Sequence, residues 1–138
     1  MFDDLERFVE AQEGVHASAL RELRAGCKTG HWIWFVFPQI GGLGHSEISR
    51  RYAIESRTQA RAYLAHPVLG PRLRDSAAAL LSVRGRSATE ILGGVDAMKV
   101  RSSMTLFHRA APDDPLFAEV LDRYYAGVED ELTIARLG

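Results

Sequence analysis

Four residues suited to recognising a small molecule lie between positions 30 and 39 of this chain. His31 could hydrogen-bond to a ligand or act as a general base, Trp32 and Trp34 offer two indole rings, and Gln39 adds an amide. Both tryptophans of the chain fall in this segment, and large aromatic side chains also dominate protein cores. The segment is therefore either the wall of a ligand site or the middle of the core, and His31 is either a site residue or a hydrogen-bonded core histidine.

A glycine-rich loop, Gly41-Gly42-Leu43-Gly44, follows this segment. The N–H groups of such a loop can approach a ligand closely and form a nest for an anion, which makes Gly42 and Gly44 candidate binding residues. A plain flexible turn is the alternative. The loop is not a dinucleotide-binding fingerprint, because Glu47 stands where the third glycine is required.

A third polar group begins at Lys99, which is one of only two lysines among the seventeen basic residues. In a helix, Lys99, Ser102 and Ser103 share one face at the spacing i, i+3, i+4, whereas Arg101 and Thr105 lie elsewhere. The pattern predicts an ammonium group that neutralises an anion, with two hydroxyls beside it. A solvated helix face is the alternative.

The familiar catalytic and metal-binding motifs are missing from the sequence. It contains no P-loop, no Gly-x-Ser-x-Gly elbow, no His-Glu-x-x-His and no spacing typical of a zinc site. We therefore expect no metal and no cofactor. The single cysteine, Cys27, excludes an internal disulfide and fits a cytoplasmic protein.

Charge is segregated along the chain, although the net charge is only −1. Residues 1–20 carry −4, residues 21–109 carry +8 and residues 110–138 carry −5. A basic central segment suits an anionic ligand, and the alternative is that acidic terminal helices pack on it. The basic residues are scattered and form no recognised nucleic-acid motif, so no nucleic-acid partner is expected.

Size and composition predict one globular domain over residues 1–138, with 46% hydrophobic and 25% charged residues. No apolar run approaches the roughly 20 residues of a membrane span, so no membrane partner is expected. The apolar residues mostly follow a helical period, which predicts an all-α fold of about six to seven short helices. The first is built on Phe2, Leu5 and Phe8 and is entered at Asp3 or Asp4.

The boundaries of the other helices are predicted from capping signals. Gly26 is expected to end a helix as its C-cap, and Pro115 to begin one. Ser56–Gln59 and Ser87–Glu90 have the pattern of capping boxes, and Asp96 is expected to cap the helix that carries Lys99.

The aromatic segment 31–37 is predicted to be buried and to form a helical turn that stops before Pro38. The alternative is a strand that pairs with Ala53–Ile54 or Val100. Within the segment we assign Trp32 to the edge of the site, whereas Trp34 is either a core residue or part of the wall of the site. Lys99 and Ser102 are expected to meet this segment in space.

Four segments of the chain are distinctive as a set: residues 30–39, 42–44, 63–73 and 99–107. Together they resemble the domain of unknown function 1810 family, whose small, mostly bacterial members are sometimes mislabelled calpastatin. The family is similar to a mycobacterial conserved hypothetical protein of largely helical fold, which implies an all-α structure and no established activity. A more remote likeness to the NADAR/YbiA group implies an N-glycosidase that acts on ADP-ribosyl or ribosylated substrates.

The sequence therefore predicts a cytoplasmic helical domain with a pocket for a small anionic or nucleotide-like ligand. It is expected to be a monomer or a weak homo-oligomer. A non-catalytic protein-interaction module and an N-glycosidase are the alternative functions. The catalytic candidates are His31 and Lys99, and the ligand-binding candidates are Trp32, Trp34, Gln39, Gly42, Gly44, Ser102 and Ser103.

Overall fold

Ten α-helices form the regular structure of residues 3–138, which are the residues that this computed structural model describes. No strand forms among them, so the predicted all-α fold is confirmed. The structure has ten helices where about six to seven were expected, because short helices such as Glu47–Arg51 lack a long apolar period. The helices are α1 (Glu6–Gln12), α2 (His16–Ala25), α3 (Ile33–Val36), α4 (Glu47–Arg51), α5 (Arg57–Ala65), α6 (Leu69–Leu81), α7 (Ala88–Leu92), α8 (Gly94–Ala110), α9 (Pro115–Tyr125) and α10 (Glu131–Leu137).

The first helix begins later than the sequence indicated. A 3-10 turn spans Asp3–Leu5, and Leu5 is the N-cap of α1. Leu5 and Phe8 are buried as expected. Phe2, which was assigned to the same helix, lies outside the described residues.

Several capping signals have the predicted role. Gly26 ends α2 in the left-handed conformation at φ 73°, and Ser87 and Glu90 form the capping box of α7. Pro115 begins α9 directly after its N-cap, Asp114.

Of the two other capping predictions, one was confirmed only in part and the other was wrong. Ser56 caps α5, but the Gln59 side chain accepts a hydrogen bond from the backbone N–H of Glu55 and so does not complete a box. Asp96 does not cap α8, which begins at Gly94 after the N-cap Gly93. The Asp96 carboxylate instead forms an ion pair with Lys28.

The longest helix, α8, lies at the centre of the fold and packs against α5, α7, α9 and α10. Its Val100, Met104 and Phe107 are fully buried, one helical turn apart along the inner face. A second layer is built on α6, which packs against α2, α5 and α9. No helix among the described residues combines the length and the apolar character needed to cross a membrane.

The aromatic segment forms the predicted helical turn, α3, and this turn stops before Pro38. Residues 32–37 are buried or half-buried, whereas His31 is exposed, so burial begins one residue later than expected. The chain then forms a single parallel bridge beyond the helix. Ile54 N–H donates to Gln39 O, and Gly41 N–H donates to Ile54 O, each at 2.8 Å. This bridge holds the glycine loop against the core.

Candidate ligand-binding cleft

The start of the aromatic segment is organised around the Glu22 carboxylate. Its Oε1 accepts hydrogen bonds from Thr29 N–H at 2.7 Å, Gly30 N–H at 2.8 Å and the Trp32 indole N–H at 3.1 Å. A Cβ on Gly30 would lie 2.8 Å from Trp32 Cδ1, so only glycine fits there. Partial burial raises the pKa of the Glu22 carboxyl, but the hydrogen bonds from Gly30, Thr29 and Trp32 outweigh it and leave the pKa below its ordinary value.

Lys28 lies over the ring of Trp32. Its ammonium group is 4.9 Å from the centroid of the Trp32 ring and 2.7 Å from the Asp96 carboxylate, and its side chain is almost fully buried. The contacts with Glu22 and Lys28 use both the N–H and the face of the indole ring. Trp32 is therefore a core residue, contrary to its expected place at the edge of the site.

Trp34 is the tryptophan that meets the later polar helix. It is half-buried, and Lys99 Nζ lies 5.0 Å from the centroid of its ring. This cation–π contact is the meeting of the aromatic segment with α8 that the sequence predicted. Lys99 forms no ion pair with any side chain of residues 4–138.

An open cleft of about 370 Å³ lies between residues 39–44, the first half of α8 and the start of α10. It has the size of a small-molecule site. Four predicted site residues from distant parts of the chain line it: Gln39, Gly44, Lys99 and Ser102. A smaller cavity of about 150 Å³ adjoins it, shares Gln39 and Gly44, and is also lined by Trp34 and Gly42.

The other three predicted site residues lie away from this cleft. His31 is exposed and Trp32 is buried, and neither lines it. Ser103 is fully buried, because it lies one turn from both Val100 and Phe107 on the inner face of α8. The structure therefore does not bring His31 together with Lys99.

The polar face of α8 holds the start of α10. Arg101 donates from Nε to Val128 O at 2.8 Å and from Nη2 to Glu129 O at 3.0 Å. Thr105 Oγ1 accepts from Asp130 N–H at 2.9 Å. Arg101, which the helical face excluded from the site, thus lines the cleft while it anchors the chain that follows α9.

Asp130 is the functional candidate that the sequence analysis missed. It is the N-cap of α10 and lines the cleft, and its Oδ2 accepts from the Ser102 hydroxyl at 3.1 Å and from Thr133 N–H at 3.0 Å. The Thr133 hydroxyl donates to the same oxygen. No donor from residues 3–138 reaches Oδ1, so this carboxylate is held by one oxygen and keeps the other as a free acceptor.

The glycine loop is shaped by packing against α10. Arg136 Nε donates to Gly41 O at 3.1 Å, and a Cβ on Gly42 would lie only 1.7 Å from Arg136 Nη2. Gly42 also has φ 93°, in the region that favours glycine. A Cβ on Gly44 would lie 2.6 Å from Ser49 Oγ. These glycines therefore allow close approach of side chains, and the predicted anion nest stays a prediction.

Apolar side chains surround the charged groups of the cleft. Val95, Met98 and Leu132 all line it, and each exposes about two thirds of its surface or more: 68%, 71% and 67%. Exposed large apolar side chains gathered at one concave site are typical of a binding surface. The cleft thus combines one free cation, one free carboxylate oxygen and an apolar rim.

Comparison with known proteins finds a matching family and a similar solved structure. The chain matches the family described as "Protein of unknown function (DUF1810)" over residues 2–137. It is also similar to the crystal structure of the conserved hypothetical protein Rv1873 from Mycobacterium tuberculosis. That similarity has 51% sequence identity and a TM-score of 0.95, and covers 97% of this chain and 96% of the other. No protein with a curated description matches the chain.

Proposed function

The chain belongs to the DUF1810 family of proteins of unknown function, and we propose that its cleft binds a small molecule through an anionic group, either a carboxylate or the phosphate of a nucleotide-like ligand. The observation that carries the proposal is the convergence of Gln39, Gly44, Lys99 and Ser102 in one cleft. These residues come from two segments that are far apart in the chain and meet only in the folded protein.

The charges of the cleft favour an anion. Lys99 is free of ion pairs with the side chains of residues 4–138 and is held over Trp34, so its ammonium group is available to a ligand. Arg101 adds a second positive charge, although its Nε and Nη2 are used by backbone carbonyls. Two cations against the one carboxylate of Asp130 leave a positive cleft, which attracts an anionic group.

Ligand screening by thermal shift tests the proposal. The panel consists of aliphatic carboxylates, sugar phosphates, nucleoside monophosphates and ADP-ribose, each applied to the native chain and to two variants. Lys99→Met removes the free ammonium and keeps much of the apolar stem. Arg84→Met removes a cation from an exposed position that does not line the cleft.

We expect at least one anion of the panel to raise the melting temperature. Lys99→Met should weaken its binding by about 10-fold to 100-fold, the usual loss when a charged hydrogen bond is removed, and Arg84→Met should bind it as the native chain does. Equal binding by all three proteins, or no stabilisation by any anion, would refute the proposal.

The apolar rim favours a second candidate function, a non-catalytic module that contacts another protein. Met98 and Leu132 are exposed, and a second copy of the chain would cover them in a homo-oligomer. Sedimentation velocity over a range of concentrations tests this function. Association that Leu132→Ser abolishes would support it, and a monomer at every concentration would exclude self-association through the rim.

A further inference from the structure

We propose that the ligand of the cleft is a small amino carboxylate with an apolar substituent, of which a hydrophobic α-amino acid is the simplest example. The inference rests on the proposed function, because it assigns the anionic group to a carboxylate at Lys99. It adds to the ligand a positively charged group that binds Asp130 and an apolar substituent that contacts the apolar rim.

Lys99 and Asp130 carry opposite charges and line the same cleft, yet they do not form an ion pair. Elsewhere in the protein a lysine and an aspartate that approach each other do pair, as Lys28 and Asp96 show at 2.7 Å. In the cleft each charge is held apart by its own contact: Lys99 by the Trp34 ring, and Asp130 by its hydrogen bond from Ser102. Two separated opposite charges match a ligand that carries both.

The carboxylate of Asp130 is held against α8, the helix that carries Lys99. Ser102, which binds Asp130, follows Lys99 by three residues, or about 4.5 Å along the axis of α8. An α-amino acid carries its ammonium and carboxylate groups on one carbon atom, so it can present one group to each of the two charges. Its carboxylate would bind Lys99, and its ammonium group would donate to the free Oδ1 of Asp130.

Asp130 also distinguishes this ligand from a phosphate ester. A phosphate ester carries close to two negative charges near neutral pH. If it bound to Lys99, the free cation of the cleft, it would also lie near the Asp130 carboxylate. Like charges at one site cost free energy, whereas an ammonium group removes that repulsion. The carboxylate of Asp130 therefore favours a ligand with a positive group beside its anion.

The rim supplies the third point of recognition. Val95, Met98 and Leu132 line the cleft and expose most of their surface. An apolar substituent laid against them would remove this surface from water at a gain of about 25 cal/mol per Å². Charge complementarity and apolar contact then act on opposite ends of one small molecule.

Isothermal titration with leucine and two molecules that each lack one of its charged groups tests the inference. Leucine carries both charged groups, 4-methylpentanoate lacks the ammonium group, and 3-methylbutylamine lacks the carboxylate. We expect leucine to bind at least about 10-fold more tightly than either analogue, because each missing group removes one charged hydrogen bond. A valid comparison uses the intact chain at neutral pH, where all three molecules are ionised.

The variant Asp130→Asn tests the role of the free carboxylate oxygen. An asparagine caps helices as well as aspartate does, so its oxygen can keep the bonds to Ser102 and Thr133, while its amide N–H₂ replaces the free oxygen. We expect this variant to lose about 10-fold or more in leucine affinity and to bind 4-methylpentanoate at least as well as the native chain. An unchanged circular dichroism spectrum and melting temperature would confirm that it folds.

The possible results separate this inference from the proposed function. If 4-methylpentanoate binds as tightly as leucine, or if Asp130→Asn keeps the leucine affinity, the amino carboxylate assignment is overturned and the anion site at Lys99 stands. If only phosphate compounds bind and require Lys99, the same conclusion follows. If no anion binds through Lys99, both proposals fail.

Discussion

Ser102 donates its hydroxyl to Oδ2 of Asp130 at 3.1 Å, and this bond joins the middle of α8 to the N-cap of α10. Asp130 is thereby fixed at the cleft with one oxygen occupied. At its C-terminal end, α10 contacts the glycine loop, where Arg136 Nε donates a hydrogen bond to Gly41 O. α10 therefore positions two walls of the cleft, and its stability sets the shape of the site.

Asp130→Ala should destabilise the protein by about 1–2 kcal/mol, because it removes a helix cap and leaves the Thr133 N–H without its acceptor, whereas the Ser102 hydroxyl can still donate to Met98 O. Urea unfolding followed by circular dichroism measures the difference. Asp130→Asn is the matched control and should remain within about 0.5 kcal/mol of the native chain. Equal loss in both variants would show that charge, and not capping, is what Asp130 contributes.

Gly42→Ala should destabilise the protein by about 1–2 kcal/mol because alanine is strained in the left-handed backbone conformation of this position. The total loss should be larger, because the new methyl group also displaces the Arg136 side chain. Arg136→Ala removes the side chain that the methyl group would meet. In a double-mutant cycle, Gly42→Ala should therefore cost less in the Arg136→Ala background. Equal costs in both backgrounds would mean that the Arg136 contact is irrelevant to the requirement for glycine.

The pKa of Glu22 predicts a stability change in acid. In the folded protein the pKa of this carboxyl lies below its ordinary value of 4.5. Its contribution to the free energy of unfolding is therefore complete above pH 4.5 and is lost as the pH falls through the lowered pKa. Glu22→Gln keeps an acceptor for Gly30 and Trp32 but cannot ionise. The native chain should thus be more stable than Glu22→Gln near pH 7, and the gap should close below the ordinary pKa. Urea unfolding at several pH values measures it, and a gap that widens in acid would contradict the prediction.

Much of the fold was readable from the sequence because its signals are local. Gly26, the Ser87–Glu90 capping box and Pro115 each specify a helix boundary through their own backbone chemistry. Asp96 also has a local capping pattern, but its carboxylate forms an ion pair with Lys28, which comes from a segment far away in the chain. Local patterns predict boundaries until a tertiary contact uses the capping side chain for something else.

The candidate site was only partly readable, because its members are selected by packing. Trp32 and Trp34 are indistinguishable in sequence, and their roles are decided by Glu22 and Lys99, which reach them from other helices. Asp130 has the pattern of an ordinary helix cap, and nothing local shows that it accepts a hydrogen bond from Ser102 and lines the cleft. The sequence singled out four residues that line the cleft, Gln39, Gly44, Lys99 and Ser102, but it did not single out Asp130.

Ser102 and Ser103 are neighbours on α8 and should respond to substitution in opposite ways. Ser102→Ala should cost about 1–2 kcal/mol, because it removes a hydrogen bond to a charged carboxylate. Ser103 is fully buried and its hydroxyl has no hydrogen-bond partner among residues 3–138, so Ser103→Ala removes an unsatisfied polar group. We expect that variant to be as stable as the native chain or more stable by up to about 1 kcal/mol. Chemical unfolding of both variants gives the comparison, and anion binding should weaken only in Ser102→Ala. A loss of binding in Ser103→Ala would instead show that this buried hydroxyl serves the ligand.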